Sequence, residues 1–213
     1  ATLEMGAGNV TTVGAGVQNI GNLTINGGTL AFSNLPTGTV ATHALTLTSG
    51  SVELDPQTAS SSGNLLAQDE GTTRQLISAT SVNGSAGNLV LKDQAGNRLT
   101  SGTANILQGG QTVAIGTYAY DLATSAAGSA AVDGLYASYR LTQLALQAGQ
   151  TTTLSGDGAP AGADELHARL TGSGSLAIDA SNTITLSNAS SDYSGETSVN
   201  SGTLRAGADN ALG

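Results

Sequence analysis

The chain has 213 residues, long enough for one core, yet 3% of them are aromatic and 10% charged. The usual charged share is about 25%, so ordinary packing around bulky side chains is excluded. A formal net charge of −9 with six basic residues excludes nucleic acid and anionic membrane surfaces as partners, because both require clustered Lys and Arg.

The composition also has positive content. No cysteine is present, so there is no disulfide or thiol chemistry, as fits a chain exported unfolded. No apolar run of about 18 residues could span a membrane as a helix. The residues from Ala1 onward do not read as a signal peptide and both ends lie in repeating pattern, which reads as a fragment of a longer secreted protein. The 30 glycines, with many Ser, Thr, Asn and Ala residues, suit turns and hydroxyl-bearing strand faces, while Leu, Ile and Val recur too regularly for disorder.

Taken in order, the chain opens with Val10-Thr-Thr-Val13 and Val17 to Ile20, then two matching segments, Leu23 to Phe32 and Leu45 to Leu54. In each, two apolar residues stand two apart, then come a polar residue, a glycine corner, a Thr or Ser, and two more apolar residues two apart. Alternation makes each half a strand with one buried face. The gap of five between Ile25 and Leu30, and between Leu47 and Val52, breaks the alternation. A glycine with positive φ at that point would let both halves point inward. Asn9, Asn19, Asn22, Asn26 and Asn34 read as turn residues, with a stacked Asn ladder as the alternative.

The spacing predicts stacked coils. Leu23, Leu45, Leu65 and Leu89 are separated by 22, 20 and 24 residues, and Leu154, Leu176 and Thr197 by 22 and 21. A period in the low twenties with strands and no helical signal predicts a solenoid. The expected fold is an all-β parallel β-helix of about ten coils, each rising roughly 4.8 Å, or roughly 45–50 Å in all. Its interior should include Leu23, Ile25, Leu45, Leu47, Leu176, Ile178, Val199 and Leu204.

Three sections are expected: coils over 1–63, a modified section over 64–148, and coils again over 149–213. The middle section carries a hairpin-like Asp93–Asn97 and four of the five tyrosines, Tyr118, Tyr120, Tyr136 and Tyr139. Tyr118 and Tyr120 should share one strand face, and Tyr139 another with Leu141. The small-residue loop Gly156 to Asp164 is expected to protrude. Asp157, Asp164 and Glu165 on it are candidate interaction residues, with a plain spacer as the other reading.

Little points to catalysis or a cofactor. Glu53-Asp55, Asp69-Glu70 and Asp164-Glu165 are the close carboxylate pairs, and Glu53 with Asp55 reads as an exposed acidic face with no basic residue beside it in sequence, leaving open one stacked there from a distant segment. His43 and His167 stand alone and read as surface imidazoles. No nucleophile elbow, phosphate loop or His-Glu-x-x-His occurs. Gly156-Asp157-Gly158 occurs once, without the periodic aspartates of calcium-binding repeats, so no metal is assigned. Four Asn-x-Ser/Thr sites, at Asn9, Asn22, Asn83 and Asn188, would matter only if the protein were secreted from a eukaryotic cell.

The last rung, Ser191 to Gly213, repeats the pattern as Thr197-Ser-Val199-Asn200-Ser201-Gly202-Thr203-Leu204. With Tyr193, Gly195, Gly207 and Leu212-Gly213 it resembles the autotransporter-associated β-strand repeat of Gram-negative type V passengers, Glu196 departing from the commoner Gly. Gly116-Thr-Tyr118-Ala-Tyr120-Asp-Leu122, then Asp133-Gly134-Leu135-Tyr136 and Leu141, resembles the pertactin-type autochaperone segment, without the Trp often found near Gly134.

The resemblance implies a right-handed β-helix and an AIDA-type adhesin. Such a protein is anchored at the bacterial surface through an outer-membrane β-barrel in the same full-length chain. It attaches to host extracellular matrix proteins or cell-surface receptors, or to its own kind on a neighbouring cell, leading to aggregation and biofilm. A stalk and autochaperone module centred on the four tyrosines is the alternative, and a polysaccharide-degrading β-helix enzyme a lesser one.

Overall fold

The computed structural model describes residues 1–32, 38–57, 63–156 and 164–213. It is nearly all β, 65% strand and 6% helix, built of stacked parallel coils that form a β-solenoid of about nine turns among the described residues, one fewer than expected. The chain divides into two compact units.

The first unit comprises Ala1–Ala59, Thr72–Gly102 and Tyr120–Tyr139. Strands β1 (Thr2–Gly6) and β2 (Val10–Val13) pair in parallel with β3 (Gly16–Phe32), which pairs with β4 (Gly38–Leu54). Leu23 lies against Leu45, Ile25 against Leu47, Leu30 against Val52 and Phe32 against Leu54. Every one of these eight side chains is at most 1% exposed. Burying such a side chain contributes roughly 1.5–3 kcal/mol, so this stacked apolar column stabilises the coils.

The inward turn of both halves depends on the corner between them. The register shifts at Asn26, and Gly50 takes φ 127° and Gly202 φ 79°, whereas in the first repeat the positive φ falls one residue earlier, at Gly27. A Cβ on Gly50 would stand 2.4 Å from the Gly28 carbonyl oxygen of the coil beside it. The corner needs glycine for its conformation and for the close approach of two backbones.

The next coil departs from the expected spacing. Leu45 lies against Val82 of β5 (Thr72–Gly84), and Val52 against Leu91 of β6 (Leu89–Lys92). Leu65 does not continue the column; it starts the six-residue helix α1 (Leu65–Glu70). Asn64 caps that helix through its side-chain oxygen, which accepts from Leu66 N and Ala67 N, and Gly71 ends it at φ 108°. The apolar Leu65-Leu66 pair that suggested a strand is the buried start of a helix, because a capping Asn precedes it. Asp93–Asn97 turns back as expected, with Lys92 bridging Arg98 in antiparallel fashion.

The last part of this unit reverses direction. The start of β9 (Gly134–Leu146), up to Tyr139, pairs antiparallel with β5, matching Thr72 to Tyr139 and Ser78 to Gly134. Asn19, Asn22 and Asn26 lie within β3 rather than in turns, and the alternative, a stacked ladder, does not form there either: Asn19 lies against Ala41, Asn22 against Thr2 and Ala44, and Asn26 against Gly6 and Ser49. Asn34 lies outside the described residues.

The second unit comprises Ser60–Gly71, Thr103–Ala119 and Arg140–Gly213. It contains most of β7 (Ser101–Gln108) and of β8 (Gln111–Ala123). β12 (Arg169–Gly172) pairs with the end of β9, and β10 (Thr151–Leu154) and β11 (Asp164–Leu166) pair with β13 (Ser175–Leu186), all in parallel. β14 (Thr197–Ala206) lies in parallel on β13, with Leu176 against Thr197 and Ile178 against Val199. Leu154 pairs with Ile178 rather than Leu176, so that coil is 24 residues long.

Leu176 and Ile178 are fully buried as expected, but Val199 is 49% exposed and Leu204 half-buried. Among the described strands β14 pairs with β13 alone. An inward-pointing residue of a solenoid is covered only when a coil lies on both sides of it.

Candidate functional site

The first unit carries a surface groove across β3, β4 and β5. Two adjoining open clefts, of about 390 Å³ and about 410 Å³, share Ala41, Thr42 and Thr80 as a common wall. The first is completed by Asn19, Ile20 and Gly21 of β3 and by His43 of β4. The second is completed by Gln75, Ser78 and Ala79 of β5 and by Asp133, just before β9.

The register explains the alignment. Asn19 lies against Ala41, which lies against Ser78, and Ile20 lies against Thr42, which lies against Ala79. The groove therefore crosses three successive coils at one phase of the repeat. Thr42 fixes its wall by donating its hydroxyl to Gly21 O at 3.2 Å or Ala44 O at 3.1 Å. His43, Asn19, Gln75, Thr80 and Asp133 are exposed.

The four tyrosines are placed as follows. Tyr136 is buried, and its hydroxyl donates to Asp133 Oδ1 at 2.7 Å and accepts from Gln75 Nε2 at 3.0 Å. It braces two residues of the second cleft from beneath. Burial of the ring and the hydrogen bond to the Asp133 carboxylate push its hydroxyl up to about 12. Tyr120 and Tyr139 pack as a tilted pair, centroids 6.4 Å apart, and Tyr120 donates to Pro56 O at 3.3 Å. Burial also raises Tyr139, against a smaller opposing influence from Arg74. Tyr118, in the second unit, is fully buried and donates to Gln68 Oε1 of α1. Tyr118 and Tyr120 do share the inward face of β8, as do Tyr139 and Leu141 on β9.

The proposed interaction loop fares differently. Asp157 lies outside the described residues. Asp164 does not protrude: it is 1% exposed and accepts from Asn182 Nδ2 at 2.6 Å. Glu165 alternates outward from it on β11 and lies 3.6 Å from His167 Nε2.

His167 does not stand alone either. Its Nδ1 is 2.9 Å from Asp69 Oδ2, and the same carboxylate accepts from His167 N at 2.9 Å and Ala168 N at 2.7 Å. Asp69 is buried at the end of α1, so this is a clamp holding the helix against the strand region around β11. Among the described residues no group of three such side chains is placed to hold a metal ion. The Glu53-Asp55 face has a cation beside it, because Lys92 is the in-register neighbour of Glu53.

The groove residues were missed in the sequence reading. Ile20-Gly21 and Thr42-His43 each stand just before an inward Leu-x-Ile or Leu-x-Leu, so their common phase was visible. Gln75 and Asp133 carried no such signal, because an antiparallel pairing brings them there.

No protein family matches the chain, and no solved structure does. The chain is similar to two Escherichia coli K12 proteins, the uncharacterized lipoprotein YdeK, at 34% identity, and the uncharacterized protein YuaQ, at 35%. All of the chain is covered in each case, but it spans only 18% and 17% of the length of these relatives.

Proposed function

We propose that the chain is part of a surface-displayed bacterial β-solenoid that mediates attachment to host extracellular matrix or cells and self-association between bacteria. The groove crossing three coils carries this reading. It is an open polar surface that crosses successive coils, with one carboxylate at Asp133 and no Lys or Arg in its lining, a form suited to an extended partner. The lipoprotein named among the relatives supports a membrane-associated or surface location. The resemblance to type V passengers supports display through an outer-membrane β-barrel elsewhere in the full-length chain. The reading assigns no catalysis and no cofactor.

Beads coated with residues 1–213 test it, scored for clumping and for adherence to collagen, laminin and fibronectin. Clumping or adherence is expected. Inert beads carrying folded protein would refute adhesion in this segment and favour a stalk and folding module. One observation independently supports that second reading: the Tyr120–Tyr139 pair packs beside an antiparallel turn within otherwise parallel coils. Under it, Tyr139→Ala would lower secretion of the full-length protein without changing adhesion per displayed molecule.

A further inference from the structure

We infer that the groove across β3, β4 and β5 is a binding site for an extended neutral oligosaccharide lying along the stacking direction. The inference rests on the attachment reading and names the ligand class of its surface.

Size comes first. Each cleft, about 390 Å³ and about 410 Å³, falls at the lower end of the 300–1,000 Å³ usual for small-ligand sites. They adjoin, so the site is elongated rather than deep. Coils recur at roughly 4.8 Å, close to the length of one sugar ring in an extended chain. Successive rings would thus meet equivalent positions on the accessible rung line of Asn19, Ala41 and Ser78.

Chemistry comes second. Ile20 and Ala41, both partly exposed, supply small apolar surface for the C–H face of a ring. Asn19, Ser78, Thr80, Gln75 and His43 supply amide, hydroxyl and imidazole groups that pair with hydroxyls in either direction. Two lining residues are ionisable, His43 and Asp133, and none is Lys or Arg. A phosphate, sulfate or uronate would find no guanidinium or ammonium there, within a chain of net charge −9. A globular protein partner would want aromatic or Arg anchors at a patch centre, and the lining has neither. A peptide strand would want an unpaired sheet edge, whereas β4 is paired on both sides. Asp133, braced by Tyr136, supplies a fixed carboxylate acceptor at one end.

The test is titration of residues 1–213 with soluble neutral tetra- to hexasaccharides (a glucan, a galactan, a mannan, an N-acetylglucosamine oligomer) and with anionic uronate and sulfated oligomers, followed by calorimetry or NMR shifts. At least one neutral oligomer should bind. Asn19→Ala and His43→Ala, both at exposed positions, should each weaken it about three- to tenfold by removing a hydrogen-bonding group. Ala41→Leu, which fills the shared wall, should weaken it more than tenfold, while Thr48→Ala, outside the groove, should leave it unchanged.

Binding by no neutral oligomer while coated beads still clump or adhere would overturn the inference and leave the attachment reading standing. Tighter binding of anionic oligomers would overturn neutrality, and neutral binding indifferent to all three groove variants would overturn the location. Absence of both glycan binding and bead adhesion would overturn the inference and the reading beneath it together.

Discussion

Removing the Asp69 carboxylate should destabilise the second unit far more than removing the histidine that pairs with it. Asp69 accepts two backbone N–H groups, from His167 at 2.9 Å and from buried Ala168 at 2.7 Å. Its side chain is completely buried, whereas the His167 side chain is 57% exposed. Asp69→Ala leaves both donors without their acceptor, at roughly 1–3 kcal/mol each, so a loss of roughly 3–5 kcal/mol is expected. Asp69→Asn keeps one acceptor oxygen but turns an N–H₂ toward the other donor, and should lose roughly 2–3 kcal/mol. His167→Ala removes a half-exposed ring partner and should lose less than about 1 kcal/mol. Urea unfolding followed by circular dichroism, with m-values compared to ensure one transition, measures all three. A His167→Ala loss equal to that of Asp69→Ala would show that the side-chain contact, not the backbone clamp, holds α1, and the reasoning would fail.

Other substitutions probe the coils and the groove. Ile25→Ala, at a fully buried position, should cost roughly 2–5 kcal/mol, while Val199→Ala, 49% exposed despite the same repeat phase, should stay within about 0.5 kcal/mol in the same unfolding assay. Gly50→Ala combines φ 127° with a 2.4 Å approach to Gly28 O and should lower stability by more than about 2 kcal/mol; a neutral result would mean that the coils can part at the corner. Tyr136, raised to about 12 from 10.0 by burial and by Asp133, is held neutral by folding. The stability it contributes is present below pH 10 and lost as pH rises from 10 through 12. Absorbance titration at alkaline pH should show late-titrating tyrosines, Tyr136 and Tyr139 among them, and Asp133→Asn should bring Tyr136 earlier.

The coil repeat was legible because its cause is local. Alternation at Leu23 to Phe32 and Leu45 to Leu54, a five-residue gap and a glycine are enough to make two inward strands with a corner. Identical phase then places Leu23 beside Leu45 without further information. The corner glycine itself was legible at Gly50 and Gly202, and slipped by one residue where Asn26-Gly27-Gly28 offered two glycines.

What the sequence did not carry were pairings between distant segments. Leu65 shares the apolar character of a coil position, and only the Asn64 cap and the clamp of Asp69 on His167 and Ala168 make it helical and remove it from the column. Periodicity also marks Val199 as interior, but exposure depends on what lies above and below a coil. The groove is the clearest case. Its walls at Ile20 and Thr42 follow from repeat phase, yet the end formed by Gln75 and Asp133 exists because β9 runs antiparallel to β5. Strand direction is decided by contacts some 60 residues apart in sequence, and no local pattern of side chains encodes it.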